Sequence, residues 1–162
     1  MRHEYRVTKF DPSLRARDGS YLRDDWTSIA DVGRKFKGRV LTPRQYQRVE
    51  DRYLEAVRLF LMEAGVHRLR MISLELRDGR LRRHPLLKKK WLTLAEALKV
   101  ARLMLRERLW VKLAAPYLAF VHFGHDYYMY IGTRRATPQA MKAVSSLGLF
   151  VEEFRSPYAG AS

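Results

Sequence analysis

The stretch Tyr117–Ile131, YLAFVHFGHDYYMYI, gathers aromatic and β-branched residues on either side of Gly124-His125-Asp126. A run of that kind, broken by a short Gly-containing turn, predicts a β-hairpin. Side chains alternate faces along a strand. Leu118, Phe120 and His122 therefore share one face of the first strand, and Tyr117, Ala119, Val121 and Phe123 the other. In the second strand Tyr127, Met129 and Ile131 oppose Tyr128 and Tyr130. Large apolar groups on both faces place the hairpin near the middle of a sheet, covered at least partly on each side. His122, His125, Asp126, Tyr128 and Tyr130 add polar tips to it and form a candidate pocket.

The rest of the chain supplies partners for that hairpin. Tyr5-Arg6-Val7-Thr8-Lys9-Phe10 alternates as a first strand and stops at Asp11-Pro12. Residues 12–41 form a long basic loop, with a turn signal at Asp18-Gly19 and an apolar set (Trp26, Ile29, Val32, Phe36) that tacks it to the body. Thr42-Pro43 opens a helix over 43–64, with Tyr46, Val49, Tyr53, Val57, Phe60 and Ala64 inward and Gly65 as its C-terminal cap. Its outer Arg48, Asp51, Arg52, Glu55 and Arg58 form a solvated, partly self-paired face. A strand at 68–77 ends at Asp78-Gly79. The capping box Thr93/Glu96 starts a helix to about Arg108, Leu109–Leu113 is a short strand, and Thr137-Pro138 opens a third helix. Leu149–Phe154 is the last strand, and Ser156-Pro157 ends ordered structure. The expectation is one α+β domain, a mostly antiparallel sheet with helices on it. From Arg68 onward the order suits a ferredoxin-like, split βαβ core.

Charge is the unusual quantity: 32 Lys+Arg against 17 Asp+Glu, a formal +15. An excess of this size attracts polyanions, of which nucleic acid is the commonest. An acidic protein and an anionic membrane surface are the rivals. With no cysteine, disulfides, thiolate metal sites and cysteine nucleophiles are excluded. The N-terminus has no apolar signal-peptide core and no run is long enough to span a bilayer, so the expected setting is the cytoplasm, without a membrane partner.

Three basic clusters carry the charge: Arg34, Lys35, Lys37 and Arg39; Arg80, Arg82, Arg83, Lys88, Lys89 and Lys90; and Arg134 with Arg135. Such runs are either solvated loops or phosphate-neutralising sites. Trp91 and His84 beside the second cluster are placed to stack on unpaired bases. Tyr128 with Tyr130, or Phe120 with His122, have the i, i+2 spacing of base-stacking sheet aromatics. FVHFGHDYYMY nevertheless lacks the RNA-recognition-motif consensus, and core packing accounts for the same residues. His122, His125 and Asp126 have no metal-ligand spacing, and no nucleophile, P-loop or dinucleotide motif occurs. The sequence points to a non-enzymatic protein without metal or cofactor.

Taken together, the opening Tyr5-Arg6-Val7-Thr8-Lys9-Phe10-Asp11-Pro12, Asp25-Trp26-Thr27-Ser28, the hairpin Val121-His122-Phe123-Gly124-His125-Asp126 with Tyr128-Met129-Tyr130, and the ending Gly148-Leu149-Phe150-Val151-Glu152-Glu153 resemble a family of small stand-alone bacterial proteins. Some of its members carry an RNA-binding label. The resemblance implies nucleic acid, RNA before DNA, as partner. The alternative is a protein-interaction module, such as an immunity-type or regulatory protein facing an acidic partner. Oligomeric state is left open.

Overall fold

The computed structural model describes residues 3–17, 20–124 and 127–158, so His125, Asp126 and the Asp18-Gly19 turn lie outside the described residues. The strands are β1 (His3–Thr8), β2 (Lys35–Phe36), β3 (Arg39–Val40), β4 (Arg68–Leu76), β5 (Leu92–Thr93), β6 (Leu109–Ala115), β7 (Ala119–Phe123), β8 (Met129–Thr133) and β9 (Phe150–Glu153). The helices are α1 (Pro43–Glu63), α2 (Leu94–Leu105) and α3 (Pro138–Ser146). Seven strands form one sheet in the order β5-β4-β6-β7-β8-β1-β9, with each neighbouring pair antiparallel, and β2 and β3 form a separate ribbon. The architecture is α+β. The β7–β8 hairpin lies centrally, and every residue of both strands is buried.

β8, α3 and β9 make one split βαβ unit, with β1 filling the slot between its strands. The β4–α2–β6 half differs, because β4 and β6 are adjacent and antiparallel. The cause is the basic segment after β4, which travels back to that strand's start, where Arg68 pairs with Thr93 and Leu94 N–H donates to His67 C=O. α2 then returns the chain to the far end of β4, where Arg77 and Asp78 N–H donate to Arg108 C=O. Two passes instead of one leave β6 antiparallel to β4.

Each helix starts for a local reason. Thr42 with Gln45, and Thr93 with Glu96, form complete capping boxes at α1 and α2. Thr137 makes no side-chain cap at α3; the Glu63 carboxylate of α1 instead accepts from Gln139 and Ala140 N–H at 3.2 and 2.6 Å. α2 stops at Leu105, short of the expected Arg108, as Glu107 turns into a left-handed conformation (φ 55°).

One face of the sheet meets the helices. Tyr5 lies 5.2 Å from the Phe60 ring, and Tyr53, Phe60 and Leu61 are fully buried. Each such side chain contributes about 1.5–3 kcal/mol by leaving water. Glu50, 0% exposed, accepts from both Arg102 and Arg106 and so ties α1 to α2. The other face carries His122, Tyr130, Arg6 and Glu152 in one cross-strand row. Contrary to the sequence expectation, order does not stop at Ser156-Pro157. Ser156 N–H donates to Glu4, Lys112 Nζ donates to Tyr158 C=O at 3.1 Å, and the Tyr158 ring meets Trp110, His122 and Tyr130.

Candidate nucleic-acid interface

The first basic cluster is not on an irregular loop. Lys35–Val40 is a ribbon whose two turn residues, Lys37 (φ 51°) and Gly38 (φ 76°), both take the positive φ that a tight hairpin turn requires. Backbone bonds between Gly33 N–H and Leu41 C=O, and Leu41 N–H and Arg34 C=O, fix its base. The ribbon stands beside the first half of α1 and closes a groove of about 530 Å³. Lys37 and Arg39 contribute from the ribbon, Arg48 and Arg52 from successive turns of the helix, over apolar Trp26 and Phe36.

Arg48 and Arg52 were expected on a self-paired helix face. Arg58 does pair with Glu55, but Asp51 is taken by Arg102 of α2. Neither Arg48 nor Arg52 forms an ion pair among the described residues, so their charge faces the groove uncompensated. The one carboxylate in the lining, Asp25, is held at 3.2 Å by Lys9. Lys9 lies between the Phe10 and Trp26 rings, its Nζ 4.1 and 3.9 Å from their centroids. Burial lowers its pKa to about 8, with Asp25 opposing the shift. Arg34, on the same ribbon, is engaged by Asp31 at 2.7 Å, while Lys35 is exposed.

The second cluster rides on two 3-10 turns, Gly79–Arg83 and Pro85–Lys88, with Leu81 buried as their anchor. Arg80, Arg82, Arg83, Lys88 and Lys90 are exposed. Lys89 is paired with Glu96, whose carboxyl is lowered to about 2 by that bond and by Thr93 N–H. His84 accepts from Leu86 N–H at 3.3 Å, which makes it a cap for the turn. Trp91 instead reaches a hollow of about 480 Å³ shared with Val66, Arg68, Pro116 and Leu118. Arg134 N–H bonds to the C=O of the lining Leu118 at 2.8 Å, which brings the start of the third cluster next to the same hollow. The second cluster begins with Arg80 beside Asp78 and Arg108 at the far end of β4, and only its last part, at Trp91, reaches the hollow by the C-terminal end of α1. The first lies toward its other end, about 25 Å away along the helix axis.

No protein-family model, curated protein or solved structure matches this chain.

Of the residues expected to line a pocket at the hairpin, His122 and Tyr130 are buried and Tyr128 is half-buried, while His125 and Asp126 lie outside the described residues. His122 stacks on Phe120 with centroids 4.6 Å apart, both rings are buried, and His122 and Tyr130 meet the Tyr158 ring of the C-terminal segment. Tyr128 packs on Phe10 beneath the Arg6 and Arg15 guanidinium groups. Base stacking on this face would require Tyr158 to leave. Among the described residues there is no group of three or more His, Asp or Glu able to hold a metal, and no helix is long and apolar enough to cross a membrane. Arg48 and Arg52 are the residues that the sequence reading missed. Their i, i+4 spacing was visible, but the ribbon that makes a groove of it was not.

Proposed function

We propose that this chain is a cytoplasmic, non-enzymatic nucleic-acid-binding protein, with RNA as its ligand. The observation that carries the reading is the convergence of Lys37, Arg39, Arg48 and Arg52 on one groove whose only lining carboxylate is already engaged. Cations in that arrangement neutralise phosphates and release counterions, which supplies affinity with little base specificity. The resemblance of the opening and hairpin motifs to proteins labelled RNA-binding points the same way.

The test is titration of labelled RNA across a salt series with wild type and with Lys37→Glu/Arg39→Glu/Arg48→Glu/Arg52→Glu. All four positions are exposed, so the variant should fold. Four lost phosphate contacts should flatten the log–log salt slope by about 3 on a single strand. An unchanged slope and affinity would reject the groove as the interface. Absence of RNA binding by wild type, with a stoichiometric acidic protein recovered instead, would favour the interaction-module reading.

A further inference from the structure

The hollow beside Trp91 has a chemistry that the groove lacks. Trp91 is 37% exposed, and on the turn between β6 and β7 Tyr117 is 84% and Leu118 45% exposed. Tyr117 has φ 63°, a left-handed conformation that a bulky residue rarely adopts. Pro116 before it and the bond from Leu118 N–H to Ala115 C=O hold that turn, so the ring is presented to solvent on a fixed support. Val66, Ala115, Pro116 and Leu118 give the hollow an apolar side, His67 and Arg68 a polar one, and no carboxylate lines it. Glu63, two residues from the lining Gly65, is occupied by the N-terminus of α3. Arg68 lines the hollow and Arg134 is bonded through its N–H to the lining Leu118, and both are exposed.

An exposed aromatic ring at a hollow with an apolar side, next to these two cations, suits a ligand with a flat uncharged face and negative charges beside it. An unpaired nucleotide has that form. A base inside a duplex does not, because its face is covered by its stacked neighbours.

We propose that this hollow receives an unpaired base of a single-stranded nucleic acid, stacked on Trp91, with the flanking phosphates met by Arg68 and Arg134. The proposal rests on the nucleic-acid reading above and specifies its substrate class as single-stranded. The groove then binds the backbone of any strand, and the hollow adds a contribution that requires a base.

The experiment compares a fluorescein-labelled ten-nucleotide RNA, an abasic strand of equal phosphate number and an RNA duplex, with wild type, Trp91→Ala, Trp91→Tyr and Arg48→Glu/Arg52→Glu. Wild type should prefer the base-bearing strand over the abasic strand by about five- to a hundredfold, the range of one stacking contact. Trp91→Ala should erase that preference while leaving abasic affinity unchanged, and Trp91→Tyr should retain it. Arg48→Glu/Arg52→Glu should weaken both strands alike. A preference that survives in Trp91→Ala, or equal wild-type affinity for the two strands, overturns the stacking proposal while the groove reading stands. No binding to any strand overturns both, and polyglutamate binding in its place would point to an acidic protein.

Discussion

The hydroxyl of Tyr53 donates to the backbone carbonyl of Tyr127 at 2.7 Å. From its other side the same oxygen accepts Lys9 N–H, also at 2.7 Å. A helix side chain thereby fastens the end of β1 to the approach into β8, beneath the Trp26, Tyr46 and Tyr127 rings. Burial drives the Tyr53 hydroxyl far above the ordinary tyrosine range, so it remains a neutral donor.

Tyr53→Phe keeps the ring and strands two buried backbone groups. The expected loss is about 2 kcal/mol or more, seen as a lower urea midpoint with an unchanged m-value. A midpoint within error of wild type would mean that water or a shifted backbone replaces both bonds.

Lys9 should make stability rise in mild alkali. Its folded pKa of about 8 lies below the unfolded value near 10.5. Between those values the unfolded chain holds more protons, so the stability difference between wild type and Lys9→Met should increase with pH across that window. Below pH 8 the cost of the buried ammonium is fully present. The check is paired urea melts from pH 7 to 10.5; parallel curves would contradict the burial of this charge.

Glu152 also makes stability rise with pH, but here it is the charged form that the fold favours. Burial alone would raise its pKa, but hydrogen bonds from Arg15 and Arg6 outweigh that and hold the carboxyl below its ordinary 4.5. A depressed carboxyl stabilises above its unfolded value and ceases to as pH falls through the folded one. Glu152→Gln should therefore be less stable than wild type at pH 7 by about 1–2 kcal/mol. The gap should close in acid below pH 4.5, as followed by circular dichroism. A gap independent of pH would assign the loss to packing.

Gly132 lies directly opposite Phe120 across the β7–β8 pair, and a Cβ built on it overlaps the Phe120 ring. Gly132→Ala should cost about 1–3 kcal/mol by overpacking. Phe120→Leu in the same chain should recover part of that loss, measurable as a thermodynamic cycle of thermal melts. Strict additivity would show that the ring does not rest on the glycine.

Several elements were legible because their causes are local. Thr42-Pro43 and the Thr93/Glu96 box start helices through bonds spanning three residues, and alternation in Leu118–Phe123 sets which side chains share a face. The fold class follows from their sum. The path of 79–91 back along β4 was not legible, because that return is fixed by pairing of Arg68 with Thr93, a contact between distant residues. The candidate site divides in the same way. Composition announced an excess of cations and named three clusters, since charge is additive along a chain. Which cations remain uncompensated was decided in three dimensions. Asp51 turns to Arg102, Glu96 to Lys89 and Asp31 to Arg34, while the ribbon folds against Arg48 and Arg52. Packing of Tyr158 on His122 and Tyr130 was likewise a tertiary outcome: a strand's alternation says which face a ring is on, and only packing says what lies over it.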